Sequence, residues 1–269
     1  VVDDGSTDTT AEKVGRYLRD PRFKLLSKKA GGVSSARNAG AAAANAPWLV
    51  FMDADDLILP DYLAEMQDHV QAGVENGYAA VYCSTRRLLP DGRLGDIYRP
   101  PETSHLPHLL NSNIFYSLAI MLSKDVFDSL GGFREDLIAG EDWDLWIRLA
   151  RSRRAIGEVN KSLTIYRMQP GSLTRHPAPM LSSLVKVIAN AYELAIADLP
   201  ASDKAGRAQL EQAKQRTLCA ISMWCYGITF GTGRPDRSLV IAPDRTPDAD
   251  PRSIANSFVE GAAHGACRF

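Results

Sequence analysis

The chain has 269 residues, 45% hydrophobic and 23% charged, with 31 Lys and Arg against 32 Asp and Glu and a formal net charge of -1. That length suits one large domain, or a core domain with an appendage, and the even charge balance argues against a nucleic-acid partner. Four scattered cysteines, Cys83, Cys219, Cys225 and Cys267, form no Cys-x-x-Cys pair, which speaks against a zinc site or disulfide framework and for reduced thiols in a cytoplasmic chain.

The opening "VVDDGSTDTT" reads as the tail of a strand running into acids; a strand usually takes about five residues, so a β-α unit is expected ahead of it. "TTAEKVGRYLRD" has capping-box spacing at Thr9 and Glu12, and an apolar stripe at Val14, Tyr17 and Leu18. A short strand "FKLLS", a helix "GGVSSARNAGAAAANA" stopping at Pro47, a strand "WLVFMDADD" and a helix "PDYLAEMQDHVQAGVEN" follow. "YAAVYCSTRRLL" is a strand ending at the Pro90-Asp91-Gly92 turn. This alternation predicts an α/β fold, a Rossmann-like, mostly parallel sheet flanked by helices. Ligands of such sheets sit at the carboxyl ends of the strands, where Asp3/Asp4 and Asp53/Asp55/Asp56 fall.

Beyond Arg99 comes a Pro-rich linker, then "YSLAIMLSKDVFDSLGGF" and the helix "GEDWDLWIRLARS". On that helix Asp142, Leu145, Trp146 and Leu149 share one face, so the acid points toward the protein. "SLTIYRMQPGSLTR" supplies a strand and turn, the chain from Pro177 is helical, and Gly231 to Pro251 reads as a loose linker. The longest apolar stretch, Thr217 to Gly231, is shorter than the ~20 residues of a membrane span and reads as a buried helix, with a membrane-surface helix as the alternative. The expected divisions are 1–99 and 100–175, two halves of one domain, and 176–269, a helical extension.

Two acidic groups carry candidate chemistry. An Asp-x-Asp at a strand end offers hard oxygen donors to a divalent ion gripping a diphosphate; the alternative is a pair of solvated acids in a loop. "DLILP" from Asp56 to Pro60, with Asp3/Asp4 upstream, also resembles the receiver domains of two-component signalling, with Asp56 as phospho-acceptor. Against that reading, a receiver ends after ~120 residues and requires neither "DAD" nor the later acidic helix. Glu141 and Asp142 at a helix N-terminus serve either as caps or as a general base whose ionised form the helix dipole favours. His105 and His108 fall in a loop, and His176 reads as structural.

Taken together, "VVDDGSTDTT", "GGVSSARNAG", "WLVFMDADDLILPDYL", "GGFREDLIAGEDWDLWIRLA" and "YRMQPGSLTR", in this order, resemble the family-2 glycosyltransferases, inverting enzymes of the GT-A fold, over roughly Val1 to Arg175. The resemblance implies a missing first β-α unit and a set of roles. Asp4 contacts the nucleotide base, Arg37 lies near the nucleotide, Asp53 sits by the ribose or sugar, and Asp55 binds Mg or Mn. Asp142 is the catalytic base with Glu141 beside it. Trp143 and Gln169 complete the substrate-binding set, Gln169 standing where many members carry His. The implied partners are a nucleotide-sugar donor of the UDP-sugar kind and a glycan or lipid-linked acceptor, with peripheral contact at a membrane face. The implied activity is metal-assisted transfer of a hexosyl-like sugar in polysaccharide synthesis, the alternative being a non-catalytic nucleotide-sugar-binding module.

Overall fold

The computed structural model describes residues 1–73, 76–102, 105–169, 177–241 and 257. In chain order the elements are β1 (Val2–Asp3), α1 (Thr10–Gly15), β2 (Leu26–Ser27), α2 (Val33–Ala43), β3 (Trp48–Val50), β4 (Leu57–Ile58), α3 (Tyr62–Ala72), β5 (Ala80–Leu88) and β6 (Leu94–Tyr98). They continue as α4 (His105–Leu109), β7 (Ile120–Ser123), α5 (Lys124–Ser129), α6 (Glu141–Arg151), β8 (Ile156–Arg167), α7 (Pro177–Ala197) and α8 (Lys204–Gly231).

The apolar run "AVYCST" makes β5 the middle of the main sheet, with its first six residues buried, as a strand covered on both faces requires. The strands lie in the order β3-β7-β5-β8-β4, with β6 also paired to β5, and β1 and β2 form a separate parallel pair. The α/β architecture is as expected, but the mostly parallel sheet is corrected to a mixed one. β5 and β8 are parallel, whereas β3–β7, β5–β7, β5–β6 and β4–β8 are antiparallel. β3 and β5 therefore do run the same way, as their α3 crossover demands. The second half of the chain then threads β7 between them in the opposite sense.

α1 is shorter than its periodicity suggested. It ends at Gly15 with no buried residue, leaving Tyr17 and Leu18 exposed. Thr9 makes no side-chain cap; Asp8 Oδ1 instead accepts from the backbone N–H and hydroxyl of Thr10. A helix of this length is marginal without an apolar face to pack. α6 is the opposite case, with Leu145, Trp146 and Leu149 wholly buried against the core. α4 packs beside it and carries His105 and His108, which corrects their expected loop placement. α7 packs on α6 and α8, and it is the helix among the described residues that is long and apolar enough to span a membrane. Met180, Val187, Ile188 and Tyr192 on α7 are all buried in the core. Thr217 to Gly231 is the second half of α8, buried at Cys219, Cys225 and Ile228 among others. The expected linker after Gly231 is corrected as far as Ile241: a short turn at Arg237–Leu239 buries Leu239 in the core, and Ile241 N–H donates to Ser222 Oγ at 3.1 Å, while residues 242–251 lie outside the described residues.

Candidate active site

The first acids leave β1 into a turn that meets the start of α2. Gly5 has φ +82, and a Cβ on it would lie 2.9 Å from the Ala30 nitrogen, so glycine permits this approach. Asp3 is buried and accepts from Ser6 N–H at 2.9 Å. Asp4 accepts from Lys28 Nζ at 2.7 Å and from the N–H groups of Gly31 and Gly32 at 3.0 and 2.8 Å. These amides are free donors at the N-terminus of α2, so Asp4 fastens β1 to α2. The Lys28 ammonium first, and then these amides, hold its carboxyl below the usual carboxylate range.

One turn into α2, Arg37 reaches across the site. Nη2 donates to Asp53 Oδ1 at 2.7 Å and Nη1 to Glu141 Oε1 at 2.6 Å. Its guanidinium lies 5.3 Å from the centre of the Phe133 ring, a cation–π contact. The next residue, Asn38, exchanges two hydrogen bonds of 2.9 Å with the backbone of Phe133. Arg148 of α6 grips the same loop through the carbonyls of Leu130 and Gly132. Two residues 104 positions apart, Arg37 and Glu141, thus meet in an ion pair with side chains only 11% and 9% exposed.

Asp53 is exposed and Asp55 half-buried in the loop after β3. Asp56 is buried, accepts from Arg167 N–H at 2.9 Å, and ties the end of β8 to this loop, while Arg167 Nε donates to the Asp55 carbonyl at 2.8 Å. Burial pushes the Asp56 carboxyl up to about 7. Asp56 is 5% exposed and ties Arg167 to this loop, a structural use that speaks against the phospho-acceptor of the receiver reading. Among the described residues no three His, Cys, Asp or Glu side chains surround a common point. Asp53 and Asp55 present carboxylate oxygens from one loop, donors of the kind a hard divalent cation takes.

α6 is preceded by Gly140, whose φ of +72 is open to glycine and which approaches α7 so closely that a Cβ would fall 2.7 Å from Leu184 Cδ2. With no side chain at the cap position, Asp142 serves its own helix: Trp143 N–H donates to Oδ1 at 2.7 Å. Its other oxygen accepts from Asn113 Nδ2 at 3.1 Å and Ser117 Oγ at 3.3 Å. A carboxylate has about four acceptor positions, so about one stays available for a proton. Burial raises the proton affinity of both Asp142 and Glu141, Glu141 to about 7; the Asp142 charge adds to the rise at Glu141, and Arg37 opposes it at both.

The structure thus brings Arg37, Asp53, Glu141 and Asp142 together, with Asp55 in the same loop as Asp53. Asp4 stands at the α2 end and Gln169 is exposed just beyond β8. Trp143 is corrected: it is 3% exposed in the core, and its Nε1 donates to the Leu109 carbonyl at 2.6 Å, so no ligand can touch it. His176 lies outside the described residues. Sequence reading missed Asn113 and Ser117, which no local pattern marks, and Asn38, which stands in view in "ARNAG". It also missed Asn111, whose Oδ1 accepts from Thr217 of α8 at 3.2 Å and from the Tyr192 hydroxyl of α7 at 3.5 Å.

Residues 1–128 match the family model described as Glycosyl transferase family 2. The succinoglycan biosynthesis protein ExoO of Rhizobium meliloti is 30% identical over 190 residues, 65% of this chain and 53% of that protein. The chain spans from 15% to 54% of the lengths of the curated relatives it matches. S. aureus TarS in complex with UDP-GlcNAc aligns with a TM-score of 0.61 at 20% identity, covering 99% of this chain and 80% of that one. The mannosyltransferase PcManGT from Pyrobaculum calidifontis, in complex with GDP-Man and Mn2+, aligns at 0.53 and 17% identity, covering 99% and 76%. At these identities the likeness is one of fold, the GT-A fold.

Proposed function

We propose, from the premise that this chain belongs to the family 2 glycosyltransferases, that it moves a sugar from a nucleoside-diphosphate donor to an acceptor hydroxyl with inversion at the sugar carbon. The observation that carries this reading is Arg37, bonded at once to Asp53 and Glu141, because it joins the acid loop after β3 to the acids at the start of α6. In this reading Asp142 takes the acceptor proton as the new bond forms. Trp143 N–H, Asn113 and Ser117 hold its carboxylate in one orientation, and burial raises its proton affinity, which favours proton uptake. Glu141 keeps Arg37 in place and shapes the acceptor side. Asp4, Arg37, Asp53 and Gln169 hold the donor, Asp4 also fixing the start of α2. Asp53 and Asp55 would hold Mg or Mn, which supplies charge neutralisation for the departing diphosphate.

The names of relatives and neighbours point the same way: succinoglycan biosynthesis for ExoO, UDP-GlcNAc for TarS, GDP-Man and Mn2+ for PcManGT. We assign residues 1–99 to the donor, 100–175 to the base and acceptor, and 176–269 to support, with the enzyme working in the cytoplasm or at its membrane face. The test is a panel of UDP-, GDP- and dTDP-sugars with Mn2+, scored by release of the nucleotide and by NMR of the anomeric product. One donor should be consumed, giving the anomer opposite to that of the donor. Retention of configuration would refute inversion, and binding without turnover would leave a nucleotide-sugar-binding module.

A further inference from the structure

Three tyrosines, two on the main sheet and one packed over it, have no part in the chemistry above. The registers of β5 with β6 and β8 set Thr85 opposite Tyr98 and Arg87 opposite Tyr166. Alternate residues share a face, so Tyr98, Thr85, Arg87 and Tyr166 stand on the same side of the sheet. Tyr116 packs over them, its ring centre 4.9 Å from that of Tyr166 at 34° and 5.8 Å from that of Tyr98 at 88°. Its hydroxyl accepts from Arg87 Nε at 2.9 Å. All three rings are half-buried, so each keeps part of its surface in solvent.

Two of the three, Tyr116 and Tyr166, adjoin residues of the site. Tyr116 directly precedes Ser117, whose hydroxyl donates to Asp142 at 3.3 Å. Tyr166 directly precedes Arg167, which bonds Asp56 through its N–H and the Asp55 carbonyl through Nε.

We propose that Tyr98, Tyr116 and Tyr166 form the acceptor shelf, and that the acceptor presents a pyranose ring to it; this rests on the glycosyl-transfer reading. A pyranose has a patch of C–H bonds on one face and hydroxyls around its rim. The C–H patch suits the electron-rich face of an aromatic ring, while phenol hydroxyls and a guanidinium meet the rim. Burial raises the Tyr98 and Tyr166 hydroxyls, Tyr166 to about 12, so both remain donors at neutral pH. A hydrocarbon chain laid here would strip water from those hydroxyls without replacing it, which costs free energy.

The experiment is saturation-transfer NMR on the whole chain with UDP and Mg2+, titrating cellobiose, chitobiose and mannobiose. At least one disaccharide should bind, with saturation passing from tyrosine ring protons to the C–H protons of one sugar face. Tyr116→Leu and Tyr166→Leu should weaken its Kd by about tenfold, the scale of a lost aromatic contact. Tyr116→Phe and Tyr166→Phe should stay within about threefold, and UDP affinity should hold in all four. Binding of none of the three sugars, or parental affinity in both Leu variants, overturns the shelf. Should a Leu variant fail to fold, the parental map decides, and saturation arriving without transfer from the tyrosine rings overturns it as well. Disaccharide binding without sugar turnover strikes the transfer reading and leaves the shelf standing. Turnover with an unchanged acceptor KM in the Leu variants strikes the shelf alone.

Discussion

The loop after β3 and the first turn of α6 each present paired acids, and the two pairs live in different surroundings. Asp53 is exposed on a loop and gives one oxygen to Arg37, whereas Glu141 is 7% exposed and Asp142 is held by a backbone amide, an amide side chain and a hydroxyl. Exposed carboxylates keep their charge at little cost and can take a cation that arrives with a ligand. Carboxylates drawn from water gain proton affinity, which fixed donors partly oppose while they hold the group in one orientation, and both suit a base. Arg37 touches both pairs and so couples a pair built for exchange to a pair built for position.

The largest expected effect breaks the comparison at its buried end. Asp142→Asn keeps the shape and removes the proton acceptor, so kcat should fall by about 10²–10⁴-fold. Donor affinity should move less than about threefold, because the donor is held elsewhere, and Glu141→Gln should slow turnover less. Parental turnover in steady-state kinetics of Asp142→Asn would reduce the α6 acid to a helix cap.

Removing the coupling residue comes next. Arg37→Met leaves Glu141 buried without its cation, and urea denaturation at pH 8 should register a loss of about 3–5 kcal/mol. The loss should shrink at pH 5. Glu141 is raised from 4.5 to about 7 in the folded chain, so between those values the folded state holds a proton that the unfolded state has released. Its contribution is therefore fully present below about pH 4.5 and is lost as pH rises through about 7. Without Arg37 the neutral acid is favoured further, which spares the variant at low pH. A deficit of equal size at both pH values would detach Arg37 from Glu141.

At the exposed end the effect should fall on ligand and spare the fold. Asp55→Asn should weaken metal-dependent UDP binding by about tenfold, measured calorimetrically, and change ligand-free stability by less than about 0.5 kcal/mol. Unfolding of this variant would make Asp55 a structural residue and erase the contrast between the pairs.

The smallest effect sharpens the comparison from a distance. Tyr192→Phe removes a buried hydroxyl that bonds Thr217 at 3.1 Å and Asn111 at 3.5 Å, and should cost about 0.5–1.5 kcal/mol in thermal unfolding. Asn111 lies two residues from Asn113, so a kcat change above about threefold would mean that α7 and α8 help to aim the base.

Much of this was legible in the residues. The apolar stripe of "DWDLWIRLA" placed α6 and turned Asp142 inward, and "FMDADD" placed acids at the end of β3, because local pattern reports which face of an element meets the core. The resemblance misled at Trp143, whose indole enters the core and donates to the Leu109 carbonyl. Periodicity misled at α1, where a stripe found nothing to pack against.

The sequence by itself determined the elements that carry the acids, since helix and strand periods and strand-end chemistry act over a few residues. Only the tertiary structure decided that β7 lies antiparallel between β3 and β5, that Asn113 and Ser117 hold Asp142, and that one arginine spans both acidic pairs. Those are meetings of residues up to 104 positions apart, and they arise from packing of the whole chain, for which no short stretch carries a sign.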